Sequence, residues 1–223
     1  QFYVDTESNN QEQKYFRYEI EETWEIKMPH YVEWRYDPGV GFQHLNLPVM
    51  CWKTQYLPDF FLANTNEHGS GRIINLPVSY VVEEQARFAI KYSLYVKQYT
   101  MSENIYNFWK SQANNLDQGA LYTKQPYQVR SNIKNINESS EVVLGLFEVS
   151  GVSSKRIFLT PKVGYGFKYG ECELSTPDWR DWNYGFYGQG PREIRGPYIY
   201  KVKVACGDCT IWGFTPGKPG FWE

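Results

Sequence analysis

Strict alternation of apolar and polar residues is the feature that most limits the folds open to this chain. In residues 14–26 the apolar side of the alternation consists of Phe16, Tyr18, Ile20, Trp24 and Ile26. The polar side consists of Arg17, Glu19, Glu21, Thr23 and Glu25. Residues 87–99 repeat the pattern, with an apolar side made of Phe88, Ile90, Tyr92, Leu94 and Val96. Because successive side chains of a strand point to opposite faces, both segments are predicted to be long strands of antiparallel sheets with one buried face.

Shorter segments extend this prediction to a mainly β fold. Further strands are expected at residues 49–54, 59–63, 71–76, 143–150, 154–160, 198–205 and 209–212. Residues 151–154 are interpreted as a hairpin connection. Three segments are interpreted as loops: 36–47 and 64–70, which are rich in glycine, asparagine and histidine, and 161–197, which is rich in glycine, proline and aromatic residues.

One helix is expected near residues 103–114. Ser102 is a suitable N-cap, and Ile105, Phe108 and Trp109 have the spacing of an apolar helix face. Residues 1–223 are therefore predicted to form a single β-rich domain. Its fold class is an antiparallel β-sandwich or partly closed barrel, with this helix packed on a sheet.

Charge and composition argue against several classes of partner. The formal net charge of −2 gives no electrostatic footprint for nucleic acid, so none is expected as a partner. No apolar run is long enough for a transmembrane helix. The sequence opens at Gln1 in a strand-like run, which we interpret as part of a longer precursor.

Four cysteines, Cys51, Cys172, Cys206 and Cys209, suit two disulfides in an oxidising compartment. Three connectivities are open. On a regular strand Cys206 and Cys209 would face opposite ways, although a tight turn between them could bring them together. Pairing of each with one of the two distant cysteines is slightly preferred. No helix follows the Cys-x-x-Cys pair and no second pair exists, so neither a redox site nor a metal is expected, and no cofactor.

Carboxylate pairs are the first candidates for catalysis. Glu21 with Glu22, or Asp178 with Asp181, could suggest a glycosidase. Adjacent Glu21 and Glu22 should face opposite sides of a strand, and the aspartates lie in an aromatic loop. Solvated surface carboxylates are the expected explanation, and the chain is predicted not to be an enzyme.

An aromatic loop is the strongest candidate for binding. Its aromatic residues lie among glycine and polar residues, and the candidates are Trp179, Trp182, Tyr184 and Tyr187. Such rings can stack on sugars or dock protein partners. The alternative is a loop that folds on itself and buries the same rings.

Several ordered segments resemble one family across nearly the whole chain. They are Glu21-Glu22-Thr23-Trp24-Glu25, Met50-Cys51-Trp52-Lys53, Tyr92-Ser93-Leu94-Tyr95-Val96-Lys97-Gln98-Tyr99, Tyr106-Asn107-Phe108-Trp109-Lys110, Val143-Leu144-Gly145-Leu146-Phe147, Cys206-Gly207-Asp208-Cys209-Thr210 and Lys218-Pro219-Gly220-Phe221-Trp222. In this order they resemble the Bacteroidota lipoprotein family known as domain of unknown function 4249. The resemblance implies the C-terminal part of an exported protein, anchored in the outer membrane by a lipidated cysteine outside this sequence. An immunoglobulin-like domain would precede it.

The resemblance also implies a function, although no catalytic residues are established for the family. Genes of its members commonly accompany those of TonB-dependent transporters. We therefore expect a non-enzymatic accessory lipoprotein of the outer membrane that binds a β-barrel transporter or a larger outer-membrane complex, with residues 161–197 as the interface. The alternative is a glycan-binding module that uses the aromatic loop around residues 179–187.

Overall fold

The computed structural model describes residues 1–7, 13–59, 61–68, 71–81, 86–117, 131–138, 140–160, 172–175, 185–189 and 199–223. Within these residues the strands are β1 (Phe2–Glu7), β2 (Tyr15–Lys27), β3 (Trp34–Asp37), β4 (Gly41–His44), β5 (Met50–Tyr56), β6 (Phe61–Asn64), β7 (Arg72–Ser79), β8 (Lys91–Met101), β9 (Gly151–Leu159), β10 (Gly185–Gln189) and β11 (Ile199–Val202). The helix α1 is Glu103–Asp117. Short 3₁₀ helices lie at Thr65–His68, Ala86–Phe88, Val204–Cys206 and Cys209–Trp212.

The described strands form three sheets. The largest has the order β5-β2-β8-β9, and β6 pairs with the first part of β2. A second sheet has the order β11-β10-β3-β4, and β1 pairs with β7 in a third. The pairings of β1 with β7, β3 with β4 and β10, β10 with β11, and β2 with β6 are antiparallel. The predicted mainly β, antiparallel fold with one helix is confirmed, and the described strands do not close into a barrel.

The chain divides into two compact units, each with its own core. The first comprises residues 1–21, 56–80 and 94–157, and the second residues 22–55, 81–93 and 158–223. Buried apolar residues of the first unit are Phe16, Tyr18, Ile20, Ala63, Ile73, Val78, Leu94, Met101 and Tyr106. Those of the second are Trp24, Ile26, Met28, Val32, Cys51, Trp52, Val81, Tyr92, Val202, Cys206, Cys209 and Trp222. That the chain is one domain stays a prediction.

Strand β2 confirms the predicted alternation on its apolar side, but part of its polar side is buried instead of exposed. All five apolar residues predicted to face inward are buried. Glu21, Glu22 and Thr23 are also buried, so the interpretation of the two glutamates as solvated was wrong. The reason is that other side chains cover both glutamates, since Arg87 and Tyr92 contact Glu22 and Arg156 contacts Glu21. Buried carboxylates need compensating partners, and Glu21 is paired with Arg156 at 2.7 Å.

Other predicted strands differ from the observed elements in their boundaries or in their type of secondary structure. Strand β8 begins at Lys91 because a 3₁₀ turn occupies Ala86–Phe88. Residues 209–212 form a 3₁₀ helix, because the Asp208 carboxylate accepts the Thr210 amide hydrogen at 2.9 Å and caps the turn. Residues 143–150 are not assigned as a strand, and residues 151–154 belong to β9 and are not a hairpin. Part of the predicted loop 36–47 forms β3 and β4.

The helix is confirmed, but the residue that it buries was not among the three predicted for its apolar face. It begins at Glu103, and the Ser102 carbonyl accepts the Tyr106 amide hydrogen at 3.0 Å. Tyr106 is the buried residue of its apolar face, and its ring lies 5.0 Å from that of Tyr15. The helix therefore packs on the beginning of β2 through Tyr106.

Both disulfides join a tail cysteine to a distant one, as preferred from the sequence. Cys51 bonds to Cys209 and Cys172 to Cys206, and no cysteine is free. The backbone of Trp52 exchanges two hydrogen bonds of 2.8 Å with Thr215. These links hold the C-terminal segment within the second unit.

Candidate functional site

Exposed apolar side chains cluster in one segment of the first unit. Between 58% and 81% of each of these side chains is exposed, and they are Val142, Leu144, Phe147, Val149 and Val152. We call these five residues the apolar strip. Single exposed apolar residues are common, but five within residues 142–152 are typical of an interaction surface.

The backbone of the apolar strip is held in place by a side chain. The Asn132 amide donates to the Phe147 carbonyl at 2.7 Å, and its oxygen accepts the Phe147 amide hydrogen at 2.8 Å. This pair of bonds replaces the bonds that a neighbouring strand would supply. Exposed and less exposed residues alternate, and the alternation shifts by one at Gly145. The φ of Gly145 is 123°, a conformation that glycine adopts without strain.

The apolar strip leads directly into an edge of the main sheet. Strand β9 is the last in the order β5-β2-β8-β9 among the described strands. Most residues of β9 are exposed, including Ile157 and Leu159. An exposed edge strand presents backbone groups that another chain can pair with.

A second candidate lies on the outer face of β2, around Arg17. The guanidinium carbon of Arg17 is 4.4 Å from the centre of the Tyr99 ring and 4.7 Å from that of Trp109. Arg17 Nη1 donates to Glu19 Oε1 at 2.8 Å, and the Tyr99 hydroxyl donates to Glu19 Oε2 at 2.7 Å. Trp109 Nε1 donates to Glu148 at 3.0 Å. Sequence reasoning missed this cluster, because the pairs join residues far apart in the chain.

The hydrogen bonds of this cluster fix its charges. Burial alone would raise the pKa of Glu19, but the hydrogen bonds from Tyr99 and Arg17 outweigh it and hold the pKa below its usual value. Burial and the bond to Glu19 raise the pKa of Tyr99 to about 12. Glu19 is therefore ionised at neutral pH, so it is not a proton donor there.

A pocket of about 300 Å³ opens beside this cluster. Its polar lining comes from Arg17, Glu19, Tyr56 and Asp59. Its apolar lining includes Ile20, Leu57 and Pro58. A larger groove of about 440 Å³ lies between β1 and the strands β8 and β9. Both are small or open sites at the lower end of the size range of ligand pockets.

Three of the four aromatic residues predicted to bind a ligand or partner lie outside the described part of the chain. Trp179, Trp182 and Tyr184 lie outside the described residues, as does most of the segment 161–197. Tyr187 belongs to β10, where its backbone pairs with those of Lys201 and Trp34, and its side chain is not among those described. Their role stays a prediction.

The described residues contain no group of three or more histidine, cysteine, aspartate or glutamate side chains able to hold a metal ion. In the same residues, no helix combines the length and the apolar character that crossing a membrane requires.

Comparison with known proteins gives one match. The model of the family described as "Domain of unknown function (DUF4249)" matches residues 1–156 of the 223. The tail segments that also resembled this family, including the Cys206–Cys209 pair, lie beyond the matched part. Neither the curated proteins nor the solved structures include a significant match.

Proposed function

Because the chain belongs to the DUF4249 family, we propose that it is a non-enzymatic accessory lipoprotein that binds an outer-membrane β-barrel protein, a TonB-dependent transporter. The proposal carries over what the resemblance implies about the family: export, a lipid anchor and an outer-membrane location. The partner would be a protein, and the contact with the membrane would come from the anchor.

The apolar strip is the observation that carries the proposal. Burying a side chain of the size of Leu144 or Phe147 in an interface contributes about 1.5–3 kcal/mol. Its exposed neighbours Glu138 and Glu141 form a polar rim, as in protein–protein interfaces.

Two further observations are consistent with the proposal. The disulfides Cys51–Cys209 and Cys172–Cys206 suit an oxidising compartment outside the cytoplasm. On the outer face of β2, the carboxylates of Glu19 and Glu21 are each paired with an arginine. Neither is arranged as a general acid beside a free base.

Affinity purification of the tagged, full-length protein from its native membranes in mild detergent tests the proposal. We expect an outer-membrane β-barrel transporter to co-purify, and the double variant Leu144→Ser/Phe147→Ser to lose it. The matched control is Tyr80→Ser, which alters an equally exposed ring of the same unit. Purification of the protein alone, or retention of the barrel by the double variant, would contradict the proposal.

The segment 161–197 can be tested in the same purification. A Trp179→Ala/Trp182→Ala variant that loses the barrel, while the strip variant keeps it, would move the interface to the aromatic loop. The alternative, a glycan-binding module that uses Trp179, Trp182, Tyr184 and Tyr187, predicts a change of tryptophan fluorescence on titration with oligosaccharides. No response across a broad panel would reject that alternative.

A further inference from the structure

The pocket beside Arg17 has the features of a binding site for a small polar molecule. It lies wholly in the first unit, between the outer face of β2 and the turn that follows β5. The turn is tied to β2 by the bond from the Leu57 amide to the Ile20 carbonyl, 2.9 Å long. Both walls of the pocket are therefore fixed by the sheet, so the site is formed before any ligand binds.

Tyr56 supplies an aromatic platform at this pocket. Its ring is 64% exposed although its hydroxyl bonds to the Glu21 carboxylate. Hydrogen bonding to Glu21 raises the pKa of Tyr56. Glu21 is held in turn by Arg156, at 2.7 Å. An exposed tyrosine ring beside a buried ion pair offers an apolar face on which the ring of a ligand can stack.

The charges of the pocket disfavour an anionic ligand. The Arg17 guanidinium and the Glu19 carboxylate neutralise each other at 2.8 Å. A carboxylate has about four acceptor positions, and the hydrogen bonds from Arg17 and Tyr99 use two of those of Glu19. A hydroxyl donor can therefore still bind Glu19, whereas an anion would be repelled by the second carboxylate of the lining, that of Asp59.

An unsatisfied donor lies in the same wall. The Nε hydrogen of Arg17 is buried and has no hydrogen-bond acceptor. Buried donors are normally satisfied, and the guanidinium has further N–H groups besides this one and the Nη1 bond to Glu19 that can donate to an oxygen acceptor. A ligand that donates to Glu19 and Asp59 and accepts from Arg17, and that has an apolar face for Tyr56, is a polyhydroxyl ring.

We propose that this pocket, lined by Tyr56, Arg17, Glu19 and Asp59, binds a sugar unit of a neutral polysaccharide. The pocket volume of about 300 Å³ suits one ring rather than an extended chain. The lining of this pocket shares no residue with the apolar strip or with the predicted aromatic loop around residues 179–187. It adds a ligand to the proposed accessory function and does not depend on the barrel partner.

Native gel electrophoresis through dissolved polysaccharides tests this inference on the whole chain. The probes are soluble starch, dextran, xylan, galactomannan and mixed-linkage β-glucan, with heparin as the anionic comparison. At least one neutral polysaccharide should retard the protein. Tyr56→Ala and Glu19→Gln should each weaken this binding by about tenfold, which corresponds to roughly 1.4 kcal/mol.

The control variant is Tyr80→Ala, which removes a ring as exposed as Tyr56 from the same unit and should leave retardation unchanged. Thermal unfolding of each variant checks that it is folded, and Tyr56→Phe provides a milder change at the same position. Retardation by none of the neutral polysaccharides would overturn the inference, as would retardation by heparin alone. Retardation that is unaffected in folded Tyr56→Ala and Glu19→Gln would place sugar binding elsewhere and also overturn it.

Discussion

The buried ion pair of Glu22 and Arg87 gives the sharpest test of how the second unit is held together. Glu22 is fully buried, and its carboxylate lies 3.0 Å from Arg87 Nη1. It also accepts the Tyr92 hydroxyl at 2.7 Å and the Gln55 amide at 3.3 Å. The Arg87 guanidinium lies 5.2 Å from the centre of the Trp24 ring. The alternation of β2 explains the burial, because residue 22 falls on the apolar side.

The perturbation is Arg87→Met, which keeps the length of the side chain and removes its charge. At 3.0 Å and an effective dielectric constant of about 20, the gross attraction is about 5.5 kcal/mol. Breaking one side of a buried pair typically costs about 3–5 kcal/mol. Because the Arg87 side chain is 26% exposed, we expect the lower end, about 3 kcal/mol. That is a large part of the roughly 5–15 kcal/mol by which such domains are stable.

Urea unfolding with the disulfides intact measures this change as a difference in the free energy of unfolding. The double variant Glu22→Gln/Arg87→Met should recover most of the loss, because a neutral amide can still accept the Tyr92 hydroxyl. The control Arg72→Met removes an exposed pair with Glu7 and should change stability by about 0–1 kcal/mol. If Arg87→Met costs no more than Arg72→Met, or if the double variant is the least stable, the reasoning is refuted.

Three further predictions concern the tail and the cluster on β2. Reduction or alanine replacement of the Cys51–Cys209 disulfide, which spans 158 residues, should lower the free energy of unfolding by about 5 kcal/mol, against about 4 kcal/mol for the other disulfide, which spans 34. Denaturant unfolding of the two variants checks the order, and the reverse order would contradict the loop-entropy argument. Trp222→Ala should lower the free energy of unfolding by about 3–5 kcal/mol, since this ring is buried and its Nε1 donates to Glu25 at 2.8 Å. A decrease below about 1 kcal/mol, as is usual for surface substitutions, would contradict the burial of this ring. The free energy of unfolding should fall at both ends of the pH range. At the acid end, the stabilisation from ionised Glu19 is complete above its unfolded-state pKa of 4.5 and is lost as the pH falls through the lower pKa of the folded state. At the alkaline end, the stabilisation from neutral Tyr99 is lost as the pH rises from 10 to its folded-state pKa of about 12. Glu19→Gln should flatten the acid limb and Tyr99→Phe the alkaline limb of a stability profile; unchanged limbs would count against the hydrogen bond.

The sequence predicts those parts of the fold that depend on local pattern. Strand β2 is specified by thirteen residues of alternation, and the helix by its N-cap and apolar spacing. Strands β3 and β4 have four residues each, too few for alternation to be distinguished from a loop. The two strands pair through a tight turn that ends at Gly41, whose φ is 84°. This pairing is visible only in the folded structure.

The parts that could not be predicted depend on contacts between distant residues. The burial of Glu22 was not predicted, because charged side chains are normally exposed. Its position on the apolar side of β2 indicates burial and therefore a partner of opposite charge. The cluster around Arg17 joins β2 to Tyr99 and Trp109, which are more than eighty residues away in sequence. The apolar strip was interpreted as a strand because its alternation resembles one. Asn132 supplies the bonds that a strand partner would otherwise give.

Site-specific photo-crosslinking in native cells tests the central claim most directly. A photoreactive residue at Leu144, in the middle of the apolar strip, should crosslink to an outer-membrane β-barrel transporter, identified by mass spectrometry. The same residue at Tyr80, which is exposed but lies outside the apolar strip, should give no such product. Absence of a barrel crosslink at Leu144, or equal crosslinks at both positions, would contradict the account.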